Sequence, residues 1–269
     1  MEKMKSENIK TDDAITDFNE IIELCRQYLI EQQHKEEASY NYALLRIFSS
    51  ILLTSSETVS LLREGYSEGA LALSRRLYEG LVITDFMIKK YHENDNKVLE
   101  RFLYAHAVSA IKEDLCMLEY KLKEDSNENE KNSAKKLIGN LKKQLNDIRD
   151  EIGISKDELF KDYWWTGYKS FAELASKTDF SRDYMYIKAS NKIHFNASSI
   201  FNYIDTSEQG ILIGDSERGA ELPLWFATTV FTTIVGLIYS IFPCLCNEKI
   251  LTRCWKLYEK TNFLMKNKV

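Results

Sequence analysis

The sequence predicts an all-α fold, and three observations carry that prediction. Only 2 of the 269 residues are proline, which leaves long stretches free of the residue that removes a backbone N–H and blocks helix interiors. Apolar residues recur three and four apart through most of the chain, the spacing that builds one buried stripe on a helix. Between those stretches lie short polar clusters such as Glu93-Asn94-Asp95-Asn96, whose residues favour turns. The expectation is a single helical bundle of about seven to nine helices with a charged helical arm.

The elements follow in order. Ile15, Phe18, Ile21, Ile22, Cys25 and Leu29 keep a helical period from Thr11 to about His34, with Thr11, Asp12 or Asp13 as the cap. A second helix is predicted from about Lys35 to Glu64, stopped by Gly65 as a natural C′ residue. The third starts near Ser67 or Glu68, carries GALALSRRLYEGLV, and stops near His92. The fourth begins at about Lys97. After polar DSNENEKNS comes a charged helix beginning at Ala134.

Residues 121–150 are solvated on most faces and read as a protruding helical segment of one domain spanning 1–269. Its lysines alternate with acids, which dilutes any field that would track a phosphate backbone. A small helix is predicted at Lys156–Lys161, and another from about Ser181 to Tyr203. Asp205 to Arg218 reads as a loop with a short extended piece at GILIG.

Leu222–Cys246 is an uncharged run longer than the roughly 20 residues that cross a bilayer. A membrane span is therefore one reading. Thr228, Thr229, Thr232, Thr233 and Ser240 weigh against it, and a central bundle helix is also apolar all round. The buried helix is the reading adopted, with Pro223 at its N1 position. The core is expected from the helices at Ala43–Leu62, Ala70–Ile88 and Leu222–Leu245.

Composition narrows the function classes. The formal net charge is -5, which argues against a surface dominated by phosphate binding. The five cysteines form no CxxC pair and have no histidine at zinc spacing, so reduced thiols in a cytoplasmic protein are expected. The amino-terminal MEKMKSENIKTDDAITD has no apolar core of a signal peptide. The four histidines lie on separate segments, and HExxH, GxxxxGK[ST] and GxGxxG are all absent. No metal and no cofactor is implied.

Two polar stripes interrupt otherwise apolar helices. Arg75 and Glu79 stand four apart on one helix, and Tyr186, Ser190 and His194 stand four apart on another. Placed between two helices of the bundle, the five form one candidate site, with Arg76 the alternative arginine. His194 beside Ser190 carries the elements of hydroxyl activation, although no glycine-rich turn supplies an oxyanion hole. The alternative is a hydrogen-bonded network that ties helices together, with Arg75 or Glu79 as the partner of His194. A second candidate pair is Arg101 and His106, an Arg-x4-His string.

Those strings carry two resemblances. Arg101-x4-His106 resembles the Arg-x4-6-His motif of HEPN ribonucleases, although Phe102 stands where that family prefers a polar residue. The resemblance implies metal-independent cleavage of RNA by arginine and histidine from paired protomers, hence a homo-oligomer. GALALSRRLYEGLV, Trp165-x-Gly167, Phe171-Ala172-Glu173-Leu174-Ala175 and Tyr186-x3-Ser190-x3-His194 together resemble a bacterial all-helical family known only as a domain of unknown function. That likeness covers roughly residues 45 to 205 and implies Arg75, Glu79, Tyr186, Ser190 and His194 as signature positions. It implies a fold more firmly than an activity, and similarity to HEPN-like helical domains of bacterial antiphage defence and toxin modules is an analogy of style.

Two functions of different classes are therefore expected. One is a defence-associated ribonuclease with RNA as substrate and His194 or His106 as acid/base group. The other is a non-enzymatic interaction or sensor module with a protein partner, in which the same cluster is structural. A membrane-anchored effector using 222–246 is the further alternative.

Overall fold

In the computed structural model of this chain, the residues described are 10–32, 39–124, 127–180, 186–187, 189–190, 204–205, 210–211, 219–243 and 246–266. They form α1 (Thr11–Gln32), α2 (Tyr40–Arg63), α3 (Ser67–His92), α4 (Asn96–Glu124) and α5 (Glu128–Glu151). After these come the one-turn α6 (Lys156–Leu159), a 3-10 turn at Trp164–Thr166 and the short α7 (Phe171–Ala175). Two-residue strands, β1 (Ile204–Asp205) and β2 (Gly210–Ile211), pair antiparallel, with Ile204 opposite Ile211. The chain then continues through α8 (Glu221–Ile241) to α9 (Glu248–Lys266). The protein is all-α; Gly210–Ile211 of the extended piece expected at GILIG forms β2, and the rest of that piece lies outside the described residues.

The core is centred on α8. Its Phe231 is fully buried, packs edge-on against Phe18 of α1 at 5.3 Å and meets Phe48 of α2 in a tilted arrangement at 6.3 Å. Two threonines add a polar seam to α9. Thr228 and Thr261 share a hydrogen bond of 2.9 Å, and Thr232 Oγ1 donates to the Cys254 carbonyl at 3.2 Å. These hydroxyls satisfy themselves inside the bundle, where an unpaired one would cost about 1–3 kcal/mol. Arg253–Glu20 at 2.6 Å and Lys260–Asp17 at 2.7 Å hold α9 antiparallel to α1. The helices α1 and α9 thus join the three expected core helices. By length and composition α2 and α8 are both apolar enough to cross a membrane, and about half of each apolar window (50% and 56%) is buried within this bundle.

Helix boundaries differ from expectation where a cap decides them. α2 starts at Tyr40 rather than Lys35, because Ser39 is its N-cap and accepts a hydrogen bond from the Tyr42 amide. α5 starts at Glu128 rather than Ala134, because Asn127 caps it through the Asn129 amide. That cap recruits most of the polar stretch into the helix. Pro223 is the third residue of α8, where its missing N–H still costs nothing. α8 ends at Ile241, earlier than Leu245, since Phe242 precedes Pro243 and leaves the helical region at φ -127, ψ 70.

α2 and α3 are antiparallel neighbours joined through Gly65, which adopts φ 77 as the left-handed residue after α2. They approach closely at Gly80, where an added Cβ would lie 3.1 Å from Ile51 Cγ1. At the far end of α3 the ENDN turn places Asn94 at φ 54, a conformation asparagine tolerates. Tyr40 donates to the Asp95 carbonyl across this turn at 2.6 Å.

α4 and α5 form a long antiparallel pair. Ile138, Leu141, Leu145 and Ile148 recur at alternating spacings of three and four along α5, a seam that faces one partner helix. Only Ile138 and Leu145 of α5 are buried. Towards the turn, Met117, Tyr120 and Leu137 are more than half exposed (59%, 65% and 51%).

Candidate functional site

Arg75 and Glu79 lie one turn apart on α3, and Tyr186 comes from a helical piece more than a hundred residues later. Arg75 Nη2 donates to the Tyr186 hydroxyl at 3.1 Å and stands 3.3 Å from Glu79 Oε1. The Tyr186 hydroxyl donates in turn to the same Glu79 Oε1 at 3.2 Å. A guanidinium, a carboxylate and a phenol therefore close into one triangle. It is partly open: the Arg75 and Glu79 side chains retain 26% and 27% of their exposure. Arg75 Nε is buried and finds no hydrogen-bond partner among the described residues.

Aromatic rings fix the phenol. Tyr186 stacks on Phe171 of α7 at 5.0 Å and meets Tyr78 of α3 at 5.4 Å, and Tyr78 reaches Phe226 of α8 at 6.1 Å. Tyr163, just before the tryptophan turn, packs on Phe171 at 6.0 Å. Burial pushes the Tyr163 phenol up to about 12, and the Glu79 carboxylate adds to that effect. Tyr163 therefore stays a neutral hydroxyl beside the triangle. Tyr78, Tyr163 and Phe171 were not among the expected site residues. For Tyr78 the signal was present, since 75, 78 and 79 share one helix face. Phe171 stood in the Phe171–Ala175 string without being singled out as a site residue, and for Tyr163 the signal was only an aromatic-rich segment.

Ser190 is buried, and its hydroxyl donates to the Tyr186 carbonyl at 2.7 Å, one turn back on its own helix. This bond spends its one proton on the backbone. His194, the last member of the stripe, lies outside the described residues. The two adjacent arginines separate: Arg75 joins the triangle, and Arg76 is exposed on another face of α3.

Arg101 and His106 do not join this cluster. Both are on α4, and five residues on a helix turn the second side chain by about 140° from the first. Arg101 is half-buried, its Nε without a partner among the described residues, and lies close to Gly167 of the tryptophan turn. His106 is exposed. One chain alone does not converge the pair.

Further contacts hold the frame. Buried Asp85 of α3 accepts from the Asp179 amide at 3.0 Å and from Lys89 at 3.1 Å, anchoring the segment that leads from α7 towards Tyr186. Ser74 Oγ, also on α3, lies 2.8 Å from the Ala70 carbonyl and 3.2 Å from that of Pro223 in α8. Among the described residues no group of three or more His, Cys, Asp or Glu side chains is arranged to hold a metal. Cys25, Cys246 and Cys254 are buried, Cys116 is exposed, and Cys244 lies outside the described residues. Burial raises the Cys25 and Cys254 thiols well above their ordinary range and pushes Cys246 up to about 12.

The class of protein so defined is a helical bundle with a guanidinium–carboxylate–phenol triangle gripped between α3 and an aromatic wall. The chain belongs to DUF5677, a family of unknown function, whose match covers residues 41–211. That span contains every member of the two stripes and runs from α2 through β2, leaving α1, α8 and α9 outside it. No curated protein and no solved structure matches the chain.

Proposed function

We propose that this protein is a HEPN-like ribonuclease of a bacterial defence or toxin module, acting at the Arg75–Glu79–Tyr186 triangle with His194 as its acid/base group. The observation that carries the reading is the partly open triangle itself. A phenol from a segment over a hundred residues later fixes the Arg75 guanidinium of α3 in place, and a guanidinium fork matches a phosphate bidentately. Glu79 orients Arg75 and accepts the proton of the Tyr186 hydroxyl, so the phenol braces the guanidinium and Arg75 alone meets a non-bridging oxygen.

In the reaction, His194 takes the proton from an RNA 2′-hydroxyl, whose oxygen attacks the neighbouring phosphorus. Charge grows on the non-bridging oxygens, where Arg75 stabilises it. The bond to the 5′-oxygen breaks, and that oxygen takes a proton from water, while the protonated His194 returns its own to solvent. The products are a 2′,3′-cyclic phosphate and a 5′-hydroxyl. DNA lacks the nucleophile and is not cut. RNA is the partner, and the resemblance to paired-protomer enzymes makes a homo-oligomer the working form.

The test is inducible expression of the wild type, His194→Ala and Arg75→Lys in bacteria, scoring growth and total RNA together. Growth arrest with fragmented RNA in the wild type only, both variants remaining soluble, is the expected result. Intact RNA with wild-type protein overturns it.

A second reading is favoured by one observation, the Ser190 hydroxyl spent on the Tyr186 carbonyl. Here the protein is an interaction or sensor module for a protein partner, and the triangle is a tie between helices. Under this reading Arg75→Lys lowers the melting temperature and leaves RNA untouched in both proteins.

A further inference from the structure

On the other side of Glu79 lies a groove between α2, α3, α4 and the tryptophan turn, with a volume of about 370 Å³. Small-ligand clefts begin at roughly this size. Its walls are Ile47, Ile51, Leu77 and Ile83, and two aromatic side chains, Phe102 and Trp165, line it as well. Those two rings meet edge-to-face at 5.2 Å, and Trp165 also meets Phe86 at 6.0 Å, so the aromatic lining is braced from behind.

Three charged residues line the same groove: Arg46, Arg76 and Glu79. Arg76 is exposed and has no ion pair or hydrogen bond among the described residues. Arg46 is exposed too, and its guanidinium is held over the Tyr42 ring at 5.0 Å, with Nε donating to the Tyr42 hydroxyl at 2.9 Å. The positive charge exceeds the negative, because the Glu79 carboxylate is already neutralised by Arg75. Both contacts to Glu79 fall on Oε1, which leaves Oε2 open as an acceptor among the described residues.

We propose that this groove binds a mononucleotide whose base carries an exocyclic amine. Arg46 and Arg76 take the phosphate, since paired guanidinium groups match its geometry and charge. The flat base lies against the apolar walls and the aromatic lining, where stacking and burial favour a planar heterocycle over an aliphatic body. Glu79 Oε2 accepts from the amine. This site shares Glu79 with the RNA-handling triangle and uses different arginines. Arg75 serves one side of α3 and Arg76 the other, while Glu79 stands about 40° from the first and about 60° from the second around the helix.

The test is isothermal titration calorimetry of the full chain with adenosine 5′-monophosphate, inosine 5′-monophosphate and inorganic phosphate. Adenosine monophosphate is expected to bind one site. Arg76→Ala and Arg46→Ala are each expected to weaken it about tenfold with the fold unchanged by circular dichroism, the loss of one charge-assisted contact. Inosine monophosphate, with a carbonyl in place of the amine, is expected to bind more weakly. No heat at millimolar adenosine monophosphate overturns the proposal, as does an affinity unchanged in both variants. Inorganic phosphate binding as tightly as the nucleotide also overturns it, leaving an anion site only. Neither variant touches the triangle, so this outcome is independent of whether RNA is cut.

Discussion

The α8 core and the α4–α5 pair are built from the same element by opposite rules. α8 is enclosed by α1, α2, α3 and α9, and its Thr228 and Thr232 hydroxyls find hydrogen-bond partners on α9. α5 leans on one partner helix, buries Ile138 and Leu145, and leaves the rest of its surface to water. Its ion pair Lys142–Glu119, at 3.1 Å, is more than half exposed on both sides and contributes little. The difference teaches that helix stability here depends on the number of neighbours rather than on propensity. α5 has an uninterrupted charged sequence and a good cap, yet it has one seam to hold it.

That contrast can be broken most directly at its centre. Phe231→Ala should cost about 3–5 kcal/mol in urea unfolding, because it empties the contact among α1, α2 and α8. A loss near that of a surface substitution would move the core elsewhere. Ile138→Ala should cost less, about 2 kcal/mol. Its signature should be faster amide exchange in α5 with α8 unchanged, since a helix held by one seam opens locally. Equal acceleration in both helices would make the pair part of the same cooperative unit.

The triangle at Tyr186 lies between these extremes. Tyr186→Phe keeps the ring stack on Phe171 and Tyr78 and removes the hydroxyl between Arg75 and Glu79. It should cost about 1.5–3 kcal/mol by thermal unfolding, the range for a hydrogen bond to charged partners. No change would mean that the aromatic wall alone positions this segment.

The smallest effect near neutral pH comes from the buried thiols and phenols. Cys246 is raised from 9.0 to about 12 by burial, so the folded chain keeps its proton where the unfolded chain releases it. Tyr163 behaves alike, raised from 10.0 to about 12, and so does Tyr40, raised chiefly by burial and then by Asp95. Their contribution is complete below pH 9 and is lost as pH rises towards 12. Stability measured from pH 7 to 8.5 should therefore be flat with respect to these groups and fall above pH 9. Native alkylation followed by peptide mapping should modify Cys116 and spare Cys25, Cys246 and Cys254 until denaturant is added.

Much of the architecture was legible in the sequence, because helical period and polar punctuation are local signals. The stop at Gly65 and the turn at Asn94 were readable for the same reason, each being a backbone conformation that few residues adopt. Boundaries set by one hydrogen bond were not. Ser39 and Asn127 cap α2 and α5, and nothing in the flanking sequence ranks them above their polar neighbours. At the candidate site, the four-residue spacing of Arg75 with Glu79 was visible, while the choice between Arg75 and Arg76 was not. That choice depends on which side of α3 the Tyr186 segment docks, a long-range fact. Tyr163 was hidden for the same reason, as one aromatic residue among many.

Three successive residues of α3 answer to three different neighbours. Ser74 reaches the start of α8, Arg75 meets Tyr186, and Arg76 opens on the groove beside α2. Side-chain direction along a helix advances by about 100° per residue, so one extra residue upstream would deal every assignment to the wrong recipient. The serine's place against α8 would pass to Leu73, which has no hydroxyl to donate to the Pro223 carbonyl, and the serine itself would take the position that Arg75 holds beside Tyr186. Length variation in this protein thus has unequal consequences along the chain. A residue added at the turn between α4 and α5 lengthens a surface connection, whereas the same residue added early in α3 would scramble what each of its faces addresses.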